Sequence, residues 1–173
     1  MDEQNANAQT GSNRKIIDAL DEEFARLHSR SCRLVEATSI EIFYRTPKGM
    51  AIGLPVYSVG DTLLRSAAAV EQTFGGITSS LWDDPFEWTL PENLSTRERV
   101  IEYLEEVEAT RKLAFKRFSS DSDLLKEVSV PSGETRPLIS LLLETLARAS
   151  DFQGRAVATQ RFVADVRGAA VSS

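Results

Sequence analysis

A long stretch near the C-terminus places the strongest constraint on the fold. Between Thr135 and Val166, apolar residues mostly recur every three or four positions, which is the spacing of the buried stripe on an amphipathic helix. The stripe consists of Leu138, Leu142, Leu146, Ala149, Phe152, Ala156, Val163 and Val166. Such a helix needs partners that cover its apolar face, so the rest of the chain must supply comparable surfaces.

Three earlier segments have the same periodicity. They cover about residues 13–38, 58–81 and 96–119, and each presents an apolar stripe that can pack against the final helix. The segment 39–57 between the first two contains turn-forming residues and many apolar ones, which is typical of a packed crossover. We therefore predict an all-α protein: an antiparallel four-helix bundle with a long crossover between helices 1 and 2.

Polar residues mark the starts of these helices. Ser12 is a candidate N-cap for the first helix. Ser58 and Asp61 have capping-box spacing at the start of the second helix, and Ser95 and Glu98 have it at the start of the third. In a capping box, the two side chains satisfy backbone N–H groups that have no partner inside the helix.

We expect a single domain with short tails. Residues 1–12 are acidic and amide-rich without a hydrophobic core segment, so they resemble a disordered tail rather than a secretory signal. The bundle domain spans residues 13–168, and residues 169–173 should fray. A 173-residue chain is long enough to bury a sizeable core without a disulfide or a metal.

Composition excludes several classes of function. The net charge of −6 and the pI near 4.9 argue against a nucleic-acid-binding protein, which needs a concentrated basic surface. No apolar run approaches the ~20 residues of a membrane-spanning helix, so we expect no membrane partner. A single cysteine, Cys32, cannot form an intramolecular disulfide, which fits a cytoplasmic protein.

The first helix carries the only histidine of the chain. His28 and Cys32 lie four residues apart and therefore on one face of the helix. Such a pair could share a metal or act as base and nucleophile. Two ligands are too few for a structural zinc site, which usually needs four, so we predict neither a metal site nor catalytic residues here.

The connection between the second and third helices is rich in aromatic residues. It contains Trp82, Phe86 and Trp88 together with two prolines. Rings of this kind can line a ligand pocket, or they can cover an open end of the core. The preceding Gly75 and Gly76 either kink or end the second helix, or they allow another part of the chain to approach closely.

Two stretches resemble the DinB-like (damage-inducible, YfiT-type) bundle proteins. They are 58–74, SVGDTLLRSAAAVEQTF, and 128–162, VSVPSGETRPLISLLLETLARASDFQGRAVATQRF. The order of helices, crossover, aromatic loop and glycine-containing turn is also similar. The resemblance covers about residues 13–167 and implies a homodimer, with the first and last helices as its interface.

Proteins of that family typically bind a divalent metal through three histidines. The matching positions here carry Arg65, Arg148 and Phe152. Arginine offers only donors and phenylalanine has no lone pair for a metal, so we predict a metal-free pocket without a cofactor. Our hypothesis is that the two arginines pair with nearby carboxylates between the second and fourth helices. The predicted ligand-binding pocket is formed by Arg65, Glu71, Glu144, Arg148, Asp151 and Phe152.

Two functions follow from this interpretation. The first is a non-catalytic bundle that binds a small anionic or amphipathic ligand, or that serves as a homodimeric interaction module. The alternative is a thiol-cofactor-dependent transferase or related enzyme that works without a divalent metal or with an unrecognised one. Such an enzyme needs a general base, for which Glu71 and Asp151 are the candidates.

Overall fold

Helices make up most of the protein. The computed structural model describes residues 13–47, 57–83, 85 and 89–171, with side chains as far as residue 164. In these ranges the elements are α1 (Lys15–Ala37), α2 (Ile40–Phe43), α3 (Val59–Ser79), α4 (Arg97–Arg117), a 3-10 helix (Asp121–Leu125), β1 (Glu127–Ser129), β2 (Thr135–Pro137) and α5 (Leu138–Val171). The prediction of a mainly helical protein is confirmed, and the small sheet is an addition to it.

The two strands form an antiparallel hairpin directly before α5. Val128 lies opposite Arg136 in the register. The turn that joins the strands contains Gly133 at φ 83°, a left-handed conformation that suits glycine. The sequence predicts this turn, but it does not predict the strands on either side of it. The hairpin holds Arg136 at the start of α5.

Helix α3 starts where the sequence predicts, directly after Ser58. The Asp61 N–H donates to the Ser58 hydroxyl, and the Ser58 N–H donates to the Asp61 carboxylate, each at 3.0 Å. This reciprocal pair is a capping box. The predicted box at Ser95 and Glu98 is wrong: α4 starts one residue later, where the Thr96 hydroxyl accepts from the Arg99 N–H at 3.3 Å.

The chain after the end of α3 shows why a glycine is needed at position 76. The helix passes through Gly75 and Gly76 and ends at Ser80, which adopts a left-handed conformation at φ 57°. Leu81, which we predicted in the apolar stripe, lies beyond this end and is 61% exposed. The indole of Trp82 packs on Gly76 so closely that a Cβ has no room there. Close approach of a side chain, rather than a kink, is therefore the reason for Gly76.

The N-terminus of α1 is capped from a distant part of the chain. The carboxylate of Asp121 accepts the N–H groups of Ile16, at 3.2 Å, and of Ile17, at 3.0 Å. A carboxylate at this end also interacts favourably with the helix dipole. The predicted cap, Ser12, lies outside the described residues.

The four long helices share one apolar interior. The rings of Phe24 on α1, Phe74 on α3 and Phe115 on α4 lie 5.2–5.9 Å apart between centroids. Leu142 of α5 belongs to the same cluster and is fully buried. A second cluster toward the other end again draws on all four helices, for example Leu34, Leu63, Leu104 and Ala156. Within the described part of the chain, none of the helices has the length and apolar character needed to cross a bilayer.

Candidate functional site: a cleft between α3, α5 and the hairpin

A polar cleft opens where α3, α5 and the hairpin meet. It has a volume of about 180 Å³. We call it the arginine cleft, and its lining residues are Gln72, Thr73, Trp82, Val130, Pro131, Arg136, Leu141, Glu144, Thr145 and Arg148. The α3 and α5 helices supply much of the lining, and the hairpin and Trp82 supply the rest.

Hydroxyl groups form the floor of the arginine cleft. Thr73 and Thr145 are buried, and their hydroxyl oxygens lie 2.7 Å apart. The Thr145 hydroxyl donates to the Leu141 carbonyl at 2.7 Å. Since a hydroxyl has one proton, Thr73 must be the donor in the pair. This floor is therefore neutral and its hydrogen bonds are satisfied.

Arg148 stands at the mouth and is held by a chain of two hydrogen bonds. Its Nη2 donates to Oε1 of Gln72 at 3.0 Å. The amide nitrogen of Gln72 donates in turn to the Trp82 carbonyl at 3.0 Å. Gln72 thus connects the loop after α3 to the guanidinium on α5. The Arg148 side chain remains exposed, and a guanidinium has several further N–H donors for a ligand.

A second arginine enters the cleft from the hairpin. Arg136 Nη2 lies 2.6 Å from Glu144 Oε2, which joins β2 to α5. Both side chains are partly solvent-accessible, so this ion pair contributes little to stability. Together with Arg148, the charged groups lining the cleft are two cations and one anion. The arginine cleft therefore has one excess positive charge inside a protein whose net charge is −6.

The structure brings together only two of the predicted pocket residues. Glu144 and Arg148 line the arginine cleft. The predicted ion pairing of Arg148 is wrong, because its guanidinium donates to Gln72 rather than to a carboxylate. Glu144 instead pairs with Arg136, and Asp151 pairs with Arg155 at 2.7 Å within α5.

The other predicted residues lie outside the cleft. The Arg65 guanidinium stacks on the Tyr57 ring at 5.4 Å, and Phe152 lies beneath the guanidinium of Arg155 at 5.9 Å. The Glu71 carboxylate accepts from the Tyr103 hydroxyl at 2.6 Å. Burial raises the pKa of Glu71, and the Tyr103 hydrogen bond opposes that shift. Glu71 therefore connects α3 to α4.

Several residues of the cleft are absent from the pocket that the sequence predicts. Gln72 follows Glu71 directly, and only the rotation of α3 decides which of the two faces α5. Arg136 was missed with its strand, although Val128 and Val130 alternate with polar residues ahead of a proline-glycine turn, which is a hairpin signal. Trp82 belongs to the aromatic loop, whose rings could line a ligand pocket or cover an open end of the core. Trp82 lines the cleft.

The histidine–cysteine pair lies on the opposite side, between α1 and α4. Cys32 Sγ is 3.6 Å from His28 Nε2. Burial, followed by the nearby carboxylates of Glu105, Glu36 and Glu108, raises the pKa of the Cys32 thiol to about 11. At neutral pH the group is a thiol rather than a thiolate, which argues against a base and nucleophile pair.

Comparisons of this chain with protein-family models, with curated proteins and with solved structures found no match.

Proposed function

We propose that this protein binds a small organic anion in the arginine cleft, with a carboxylate group at the arginines and a short apolar part against Trp82 and Leu141. The observation that carries the proposal is the charge of the cleft: Arg136 and Arg148 share it with one carboxylate. Guanidinium groups match the geometry of carboxylates and bind them through paired N–H donors.

The size and the walls of the cleft narrow the ligand class. A volume of about 180 Å³ is smaller than the ~300–1,000 Å³ of pockets for drug-sized molecules. Leu141, Val130 and Pro131 supply apolar surface, and Trp82 also lines the cleft. A carboxylate with a short aliphatic chain or a single aromatic ring fits this combination better than a nucleotide or a peptide does.

Binding is favoured over catalysis because the proposed bases lie elsewhere. Glu71 is hydrogen-bonded to Tyr103, and Asp151 is paired with Arg155. Neither residue lines the arginine cleft. A general base must lie within hydrogen-bond reach of the proton that it removes, directly or through one water.

We also propose that the four long helices form an antiparallel bundle of the DinB-like type. What supports this is that each of the two apolar clusters draws on all four helices. The arginine cleft also lies between α3 and α5, the two helices that would hold the metal ligands in that family. The homodimer remains a prediction of the same resemblance.

The test is a binding titration that uses Trp82 as the reporter. A Trp88→Phe background removes the other tryptophan of the chain, so the fluorescence then comes from Trp82 alone. Titration with benzoate, butyrate and inorganic phosphate should show saturable changes for the carboxylates. Arg148→Ala should weaken carboxylate binding by at least about tenfold, because a charge-assisted hydrogen bond contributes ~1.5–3 kcal/mol.

Two further variants sharpen the test. Glu144→Gln removes the only carboxylate of the cleft and should strengthen carboxylate binding. Arg155→Ala removes an arginine from the same helix but outside the cleft, and should leave the affinity unchanged. Fluorescence changes that do not saturate, or equal affinities of the Arg148 and Arg155 variants, would overturn the proposal. Saturation by phosphate alone would show that the ligand is an inorganic anion rather than a carboxylate.

A further inference from the structure

Three side chains with metal-binding atoms meet at the interface between α1 and α4. They are His28 and Cys32 on α1 and Glu105 on α4, and their ligand atoms all lie within 4.8 Å of one another. The Nε2 atom of His28 is 3.3 Å from Oε1 of Glu105 and 3.6 Å from Sγ of Cys32. The sequence shows the first two residues, but the third comes from 73–77 positions further along the chain and is brought close only by folding.

Two of these separations are close to the edges of a zinc coordination tetrahedron. Zinc lies about 2.0–2.1 Å from imidazole nitrogen, about 2.3 Å from thiolate sulfur and about 2.0–2.2 Å from carboxylate oxygen. At tetrahedral angles, these bond lengths place nitrogen and oxygen about 3.3 Å apart, and nitrogen and sulfur about 3.6 Å apart. The two observed distances from His28 Nε2 are close to these values. Cys32 Sγ also lies 4.0 Å from His28 Nδ1, so the imidazole ring must turn for Nε2 to point at an ion between the three side chains.

The backbone around the three ligands is held in place. His28 and Cys32 are one turn apart on α1, a spacing that presents two ligands from one helix face. Glu108, one turn after Glu105, pairs with the buried Arg111 through two hydrogen bonds of 2.7 Å. Arg111 also forms an ion pair with Asp21 of α1. This pairing fixes α4 against α1 next to the cluster.

The cluster is open to solvent on one side. The side chain of Glu105 is 60% exposed and that of His28 is 18% exposed, so an ion can enter without unfolding the helices. A small internal cavity of about 20 Å³, bordered by His28, Ser31 and Glu108, lies on the inner side. A cavity of this size holds about one water molecule. Three protein ligands leave the fourth position of zinc for water or another small ligand.

We infer that His28, Cys32 and Glu105 form a binding site for one zinc ion, with an open fourth position. A mixed set of imidazole, thiolate and carboxylate suits zinc better than the hard ions magnesium and calcium, which require oxygen ligands. When the Zn–S bond forms, the thiol proton of Cys32 passes to solvent. The site is separate from the arginine cleft, so the zinc site and the proposed anion binding are tested independently.

The experiment measures metal uptake by the purified full-length chain. Titration with Zn²⁺ should show one equivalent bound per chain, whereas Mg²⁺ should not compete. Titration with Co²⁺ should produce the intense near-ultraviolet absorption of a cobalt–thiolate bond, together with the visible bands of tetrahedral cobalt. Thiolate coordination is thereby observed directly and does not have to be inferred from affinity.

Variants of each ligand test the assignment. Cys32→Ser should abolish the near-ultraviolet band. His28→Ala and Glu105→Gln should each weaken Zn²⁺ binding by more than the ~10–100-fold that the loss of a second-shell partner costs. Glu127→Gln is the matched control, since it removes an exposed carboxylate from β1, far along the chain from the cluster, and should bind as the unmodified protein does.

Circular dichroism and thermal unfolding establish that each variant is folded without metal. All three ligands are at least partly exposed, so the metal-free variants should unfold close to the temperature of the unmodified protein. Failure of the unmodified protein to bind stoichiometric Zn²⁺ would overturn the inference. A cobalt spectrum that is the same in the Cys32→Ser variant would overturn it as well.

Discussion

Two helix interfaces in this protein are built from different polar chemistry. Between α1 and α4, the buried Arg111 pairs with Glu108 and with Asp21. Between α3 and α5, two buried side-chain hydrogen bonds use only neutral groups: the Thr73 and Thr145 hydroxyls meet, and the Ser66 hydroxyl donates to the Ala149 carbonyl at 2.8 Å.

The difference separates structural arginines from those available to a ligand. Arg111 is 2% exposed, and its guanidinium is committed to carboxylates of its own chain. Arg148 lies at the mouth of a neutral interface and contacts only an uncharged amide among the described residues. Buried charge must be compensated internally, whereas an exposed guanidinium beside a cleft can recognise an external anion. The following predictions test this contrast, beginning with the largest effect.

Arg111→Ala should lower the free energy of unfolding by about 3 kcal/mol. Removing one partner of a buried ion pair costs ~3–5 kcal/mol because the other charge remains buried. We expect a cost at the lower end of this range because Lys112 Nζ, 3.3 Å from Glu108, still neutralises part of that charge. Urea denaturation at neutral pH measures the change. A loss below ~1 kcal/mol would mean that Arg111 is not the structural arginine that we describe.

Thr73→Val should cost about 1 kcal/mol, the usual net contribution of a buried hydrogen bond. The side chain keeps its shape, and only the donor to Thr145 is lost. Thr78→Val is the control on the same helix, because the Thr78 hydroxyl donates to the carbonyl of Phe74 within α3. Denaturation curves should separate the two variants. Equal losses would indicate that the hydroxyl pair contributes nothing specific to the α3–α5 interface.

The third and smallest effect is on acid stability. Burial raises the pKa of Glu108, but the hydrogen bonds and charge of Arg111 outweigh burial and hold the pKa below its usual 4.5. A carboxyl whose pKa is lowered by folding stabilises the protein above its unfolded pKa, and that contribution is lost as the pH falls below about 4.5.

Replacing the pair by neutral groups should therefore flatten the acid limb of the stability curve. We expect the Glu108→Gln, Arg111→Met double variant to lose less stability than the unmodified protein between neutral pH and the acid range. Its stability at pH 7 should be similar, because well-packed neutral replacements of a buried ion pair are often tolerated. Unfolding free energies measured across that range give both slopes. Parallel slopes would contradict the role of Glu108.

Local sequence signals predicted the elements better than they predicted the site. Helical periodicity located α1, α3, α4 and α5, and the Ser58–Asp61 box gave the start of α3. These signals act over a few residues, so they can be read along the chain. The strands of the hairpin are three residues each, so the alternation of Val128 and Val130 with polar residues is only a weak signal.

The site depends on how distant segments meet, and periodicity does not contain that information. The prediction of Arg148 depended on the proposed resemblance to DinB-like proteins, and its partner is Gln72 rather than a carboxylate. Glu105 looked like an ordinary surface acid of α4, since nothing in the local sequence shows that His28 lies 3.3 Å away. Residue type indicated the chemistry in both cases, while packing decided which groups could act together.

The contact from Asp121 to the start of α1 has a consequence for the order of assembly. Ile16 and Ile17 obtain their backbone acceptor from a residue 104–105 positions later. Before the segment after α4 docks, these two N–H groups have no acceptor inside their own helix, so we expect the first turn of α1 to fray. Amide exchange at these two positions should accordingly report the closing of the whole chain rather than the formation of the helix in which they lie.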